Sequence, residues 1–304
     1  MANTRDIKRR IKSVGNIKQI TRAMQLVATS KMKRAQKRSA DADTYAYGAL
    51  EILENVTKGS YEALRHPYWN ENTESNKVGI IIVSTNRGFC GGMNVLLMSE
   101  VMKLVRTIKK DGHIPEVVAV GKKGRDIAKK SGVEIVADFS ELEDHFTMHD
   151  IAPIAKIATQ DYKKGTYRKL YVAFTQFINI LNQKPIVRQI LPIDVDTFKE
   201  ITEYDEKHAK QTFERKESDA KYILEPNIEV IFDRLIPHLI EIEIYKALLE
   251  SHASEHSARM IAMKNATEKA GELIDDLTLA YNQARQAGIT SEIAEISSGA
   301  MATA

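Results

Sequence analysis

The stretch that most invites a chemical reading is Thr85-Asn86-Arg87-Gly88-Phe89-Cys90-Gly91-Gly92-Met93-Asn94. It follows a run of β-branched residues and opens a helical one, the place where backbone amides can cradle a phosphate. It matches neither G-x-G-x-x-G nor G-x-x-x-x-G-K-[ST], and no Lys-Ser or Lys-Thr follows it. A tight strand-to-helix turn, with glycine supplying backbone freedom, accounts for it. His252 and His256 stand at i, i+4, a spacing that can bind zinc, but no third ligand lies near them in the sequence. Cys90 is the single cysteine, which excludes a disulfide framework and a multi-cysteine metal site. Asp275 and Asp276 are adjacent, so on a helix they point to different sides and do not form an acid/base pair. The residues alone therefore predict no catalytic group, no cofactor and no metal.

Composition is that of an ordinary soluble chain. The chain has 304 residues, 43% apolar and 28% charged, which suits one or two globular domains. No apolar run approaches the ~18 residues of a membrane span, and residues 1–10 are charged rather than signal-like. A reducing cytoplasm is the expected home. The net charge of +3 conceals a strong asymmetry: residues 1–38 carry twelve Lys or Arg against the single acid Asp6. Residues 223–296 carry thirteen acids against six bases, a net of −7.

The elements that must position anything on this chain are two long helices. From Ile228 to Gly288, mostly apolar or small residues recur at alternating steps of four and three, through Phe232, Leu239, Lys246, Ala253, His256, Met263, Thr267, Ala270, Leu277 and Ala284. A seam held for more than eight heptads marks a coiled coil rather than a surface helix, and at 1.5 Å per residue it would run roughly 90 Å. Residues 3–58 repeat the pattern through Ile7, Ile11, Val14, Ile17, Thr21, Met24, Val27 or Ala28, Ala35, Ala42, Ala49, Ile52 and Val56. Pro226 fits a first helical turn, and Pro237 predicts a kink or a delayed helix start.

Between the helices the period changes. Strands are expected at 78–83, 116–120, 133–136, 169–177 and 186–191, with helices at 94–110, 124–130 and 151–162 and an edge strand at 222–224. That alternation describes an α/β sheet covered by helices. The chain thus divides into an N-terminal coiled-coil helix 1–58, a linker 59–77, an α/β domain 78–222 with a charged tract at 200–219, and a C-terminal coiled-coil helix and tail 223–304. The fold class is α/β: a long antiparallel two-helix coiled coil from the terminal segments, with an inserted Rossmann-like domain. Opposite charge on the two helices would set their register, leaving Gly288–Ala304 to overhang.

At this point the residues match a known family. Arg5–Ser13 and Gln25–Met32, Ser254–Met260 and Asn265–Thr267, Ala284–Ala287 and the closing Ile289–Ala300 resemble the gamma subunit of rotary F-type ATP synthase in its bacterial form. Thr85–Asn94 is similar to that family's strand-end turn, and the resemblance spans the chain. The charged, serine-poor start is expected to carry no transit peptide, and a single cysteine does not make the pair of the redox-regulated chloroplast kind. The long polar tract Tyr204–Ser218 departs from the pattern, so the resemblance does not carry over the contacts of the foot there.

The resemblance implies a non-catalytic central rotor shaft that couples rotation of the membrane c-ring to ATP synthesis or hydrolysis in a ring of three alpha and three beta subunits. It implies alpha, beta, epsilon and the c-ring as partners, with no nucleic acid, and a peripheral place on the cytoplasmic side of the cell membrane. Carried over position by position, Arg285, Gln286 and Thr290 match contacts to catch loops of the catalytic subunits. Met24 matches a position near the acidic lever loop of beta, and the Ser/Ala/Gly-rich tail would turn in an apolar sleeve. Two other classes remain open on residues alone: a nucleotide-binding α/β enzyme that dimerises through its helices, and a coiled-coil adaptor on nucleic acid, whose basic helix lacks interleaved aromatics.

Overall fold

A computed structural model describes residues 4–58, 66–142, 145–193 and 228–303. Helix α1 (Thr4–Lys58) begins with Asp6 in its first turn, where a carboxylate complements the helix dipole. Strand β1 (Lys77–Val83) is followed by α2 (Met93–Lys110), β2 (Ile114–Val120), α3 (Lys122–Lys130), β3 (Glu134–Asp138), α4 (Met148–Lys163), β4 (Lys169–Phe177), β5 (Gln183–Leu191) and α5 (Ile228–Thr303). Within the described residues the expected strands and helices are present, with ends displaced by a few residues. The edge strand expected at 222–224 and the charged tract lie outside the described residues. The linker region contains a short 3-10 turn at Pro67–Trp69.

The strands form one sheet in the order β3-β2-β1-β4-β5, parallel except for β5, which pairs antiparallel with β4. Strict alternation divides its side chains between two cores. Ile80, Ile82, Val117, Ala119 and Ala173 point into a core closed by Leu97, Val101 and Val105 of α2 and Ala128 of α3. Ile81, Val83, Val118, Val120, Val172 and Phe174 point the other way, onto Ile151 and Ile154 of α4 and onto Phe232, Ile236, Leu239, Ile240 and Ile244 of α5. The continuous apolar runs of β1 and β2 are those of strands covered on both faces.

Backbone closeness explains the spacing of the glycines after β2. Gly121 has φ +96, and a Cβ there would collide with the Ser84 carbonyl at the end of β1. Ser84 Oγ donates toward the Val120 and Gly121 carbonyls and accepts from the Gly124 amide at 2.7 Å. Thr147 and Asp150 form a reciprocal capping box at the start of α4, the Thr147 amide donating to the Asp150 carboxylate at 2.7 Å.

The chain divides into two compact units, residues 1–29 with 259–304 and residues 30–258. In the first, α1 and α5 pack antiparallel: Thr267 meets Thr21, and Lys18 lies against Gly271, so one index rises as the other falls. From Thr267 to Gly288, the α5 positions that escape full exposure are Thr267, Ala270, Ile274, Leu277, Tyr281, Ala284 and Gly288, which is the 4-3 seam, with Gly271 beside it. On α1 the seam runs through Ile7, Ile11, Val14, Thr21 and Ala28. Ile17 does not join it, being 52% exposed, and Ala28 rather than Val27 is buried. Ala49, Ile52 and Val56 fall outside the residues whose side chains are described.

In the second unit the same helix has two tasks. From Leu239 to Ser257 it is buried nearly all round, one face on the sheet and the seam face on α1 segment 30–42. A helix apolar on every side belongs inside a core, which is why a single stripe describes this stretch poorly. Pro237 lies inside the helix and does not end it, although its missing amide leaves the turn at Asp233 without one backbone bond.

Candidate functional site

The loop after β1 is closed on itself. Asn94 Nδ2 donates to Thr85 Oγ1 at 2.8 Å and toward Cys90 Sγ at 3.2 Å, and Thr85 Oγ1 donates to the Arg87 carbonyl at 2.7 Å. Cys90 is buried, while Phe89, at φ 62, is 73% exposed. The side chains of this loop hold one another, as a folded turn requires. His252 packs edge-on against Phe146 at 5.0 Å between ring centroids, and His256 is buried on the seam. Among the described residues no three His, Cys, Asp or Glu side chains cluster as metal ligands.

A cleft of about 350 Å³ lies between Arg125 and residues Asp138–Leu142. Its guanidinium is committed to Asp126 at 2.9 Å, Asp138 at 3.4 Å and Ser140 at 3.1 Å. Burial works against ionisation of Asp138, yet the hydrogen bonds from Ser140 and then Arg125 hold its carboxyl below the ordinary range. A carboxylate so engaged is a poor base, and the neighbouring Ser140 hydroxyl is itself held by the Arg125 guanidinium at 3.1 Å.

The surface that remains is on the coiled coil. Arg285, Gln286 and Thr290 are exposed within one and a half turns of α5, and the Thr290 hydroxyl donates back to the Gln286 carbonyl at 2.9 Å. Beyond them residues 289–301 are exposed on every side, including Ile289, Ile293 and Ile296 at 48%, 61% and 73%. Those three are spaced by four and three, so the helix carries an apolar stripe facing solvent. Met24 is half-buried on α1. By the Thr21–Thr267 register it lies some twenty residues from Arg285, roughly 30 Å along the axis, so Met24 and the Arg285 cluster are separate patches.

Met24 belongs to a second apolar line that the seam pattern concealed. Ile17, Ile20 and Val27 flank it at steps of three and four and are 52%, 59% and 56% exposed. The signal was present as apolar residues on both sides of one amphipathic helix, but periodicity alone assigned Ile17 to the internal seam. Basic residues flank the stripe, among them Arg22, which donates to Gln25 at 3.0 Å.

Comparison with known proteins bears on what such a surface is for. A family model described as ATP synthase matches residues 3–303. The ATP synthase gamma chain of Legionella pneumophila (strain Corby) is 36% identical over 302 residues, covering 99% of this chain and 100% of its own. That of Roseiflexus sp. (strain RS-1) is 38% identical over 304 residues, covering 100% and 99%. Among solved structures, a chain of the Euglena gracilis mitochondrial ATP synthase (OSCP/F1/c-ring, rotational state 3) superposes with a TM-score of 0.62 at 16% identity, covering 99% of this chain and 94% of its own. A chain of the Tetrahymena thermophila mitochondrial ATP synthase central stalk/c-ring gives 0.52 at 23%, covering 81% and 99%. The structures establish a shared fold; the full-length sequence relatives establish the family. A coiled coil of both termini, an inserted α/β sheet and these relatives together place the chain in the ATP synthase gamma chain family.

Proposed function

We propose that the chain is the central rotor shaft of a proton-translocating ATP synthase, turning with the membrane c-ring inside a head of alpha and beta subunits and contacting epsilon at its foot. It sits peripherally on the cytoplasmic side of the membrane and performs no chemistry itself. The observation that carries this reading is the end of α5: thirteen residues, 289–301, exposed on all sides yet helical and striped with isoleucine. Such a segment is built to be surrounded. Among the described residues no helix is long and apolar enough to cross a membrane; on this reading the wall around the segment is the subunit head.

The mechanism follows from asymmetry. Three equivalent catalytic sites around one non-symmetric rod each meet a different face of it, and each is biased toward a different nucleotide affinity. Turning the rod exchanges those states, because a contact shifts an equilibrium only by its differential affinity for the two conformations. We assign Arg285, Gln286 and Thr290 to one set of head contacts and Met24, with Ile17, Ile20 and Val27, to another. We assign the α/β domain within 78–222 to the foot. Every contact must break in turn, which suits exposed, mostly small or apolar side chains better than fixed ion pairs.

Purified alpha and beta subunits supply the test. Adding the chain should yield a complex with one copy per three alpha–beta pairs and change its ATP hydrolysis rate. An unchanged rate with no bound chain would contradict the proposal.

A further inference from the structure

Helix α5 meets the sheet through a largely apolar interface that contains a nearly buried ion pair. Arg188 on β5 places Nη1 3.3 Å from Glu243 Oε2 on α5, with the two side chains 18% and 6% exposed. The Arg188 guanidinium also lies over the Phe174 ring, 5.4 Å from its centroid. Two serines further along the helix add polar contacts. Ser254 Oγ donates to the Thr175 carbonyl at 3.0 Å and Ser257 Oγ to the Ile180 carbonyl at 2.7 Å, both at the far end of the β4–β5 hairpin.

Stability does not explain such a pair, because well-packed apolar residues of similar size usually serve as well or better. Its distinctive property is position. Apolar contact is non-directional, so a helix under load can slide or roll on it while keeping much of its burial. A buried ion pair has one satisfied geometry, and any slip leaves two charges buried and unpaired. The serine hydroxyls, which on a free helix would turn back to their own carbonyls, instead reach across to the hairpin.

We propose that Arg188 and Glu243, backed by Ser254 and Ser257, are positioning residues that lock α5 to the sheet so that torque passes between shaft and foot without slippage. This rests on the rotor reading above. The lock matters when the motor works against a load and not when the head turns over freely.

The complete synthase in inverted membrane vesicles tests it, with ATP hydrolysis and ATP-driven proton pumping measured on the same preparation. Glu243→Gln should leave hydrolysis near the parent rate and lower pumping per ATP roughly tenfold, as expected for a lost charged hydrogen bond. The exchange Arg188→Glu with Glu243→Arg should restore much of it. Ser254→Ala with Ser257→Ala should show a milder version of the same split, and decides the matter should Glu243→Gln not assemble. Pumping per ATP equal to the parent in the assembled variants would overturn the inference. So would a parallel fall of both activities that the exchange does not rescue. A parent chain that drives no pumping at all would instead count against the rotor reading.

Discussion

Thr267 Oγ1 on α5 lies 2.8 Å from Thr21 Oγ1 on α1, hydroxyl to hydroxyl, within a mostly apolar or small seam. Thr21 also reaches the Lys18 carbonyl at 3.1 Å and Thr267 the Met263 carbonyl at 2.7 Å, so the pair is tied into both helices. A polar seam position fixes register at some cost in stability. Thr267→Val should therefore destabilise the coiled coil by about 1 kcal/mol, and adding Thr21→Val should recover most of that loss, since removing both partners leaves no orphan. Guanidinium unfolding followed by helix signal measures both.

Two glycines should respond oppositely to alanine. At Gly121 the positive φ and the Ser84 carbonyl leave no room, and Gly121→Ala should cost more than about 3 kcal/mol. At Gly15, mid-helix on α1 with open space around its Cα, alanine should stabilise by about 0.5–1 kcal/mol. Thermal melts of the two variants, read beside the parent, distinguish these outcomes.

Acid should loosen the attachment of α5 near its start. Lys163 Nζ lies 2.5 Å and His66 Nε2 3.1 Å from Asp233 Oδ1. The hydrogen bond from Lys163, with that from His66 behind it, holds the Asp233 carboxyl below its ordinary value despite partial desolvation. A depressed folded pKa gives stability that is present above the unfolded value of roughly 4 and lost as pH falls through the folded one. The carboxyl is partly exposed, so Asp233→Asn should cost only a few tenths to about 1 kcal/mol at neutral pH. The gap between parent and variant should close as the pH drops below about 4. A gap that persists in acid would mean the carboxylate charge is irrelevant.

Reversing charge at Arg285 should weaken coupling while leaving the coil intact, because the side chain is exposed beyond most of the paired seam. In the assembled complex, Arg285→Glu should lower ATP turnover or synthesis with an unchanged circular dichroism spectrum. A loss of helix signal would instead make Arg285 a structural residue.

Much of this architecture is written plainly in the chain. The β-branched run Val78–Val83 can be little else than a buried strand, and the 4-3 spacing from Thr267 to Gly288 reappears as the positions withheld from solvent. What periodicity could not resolve is a helix with two buried faces. Between Leu239 and Ser257 the sheet and α1 both take a side, so a single seam hides the sheet-facing Ile240, Glu243 and Ile244. Glu243 was legible only as a charge inside an apolar run. On α1 the reverse happened: Ile17 fits the seam by spacing, yet it faces solvent beside Met24, because spacing cannot tell an internal partner from an external one. The proposal of Arg285, Gln286 and Thr290 as head contacts rests on family likeness, and the fold adds only their exposure.

Rotation itself is the most direct measurement. With the head fixed to a surface and a probe attached to the α/β domain of this chain, ATP should drive rotation in one direction, in three equal steps per turn, one for each catalytic site. ATP hydrolysis by the assembled complex with the probe stationary would contradict the account.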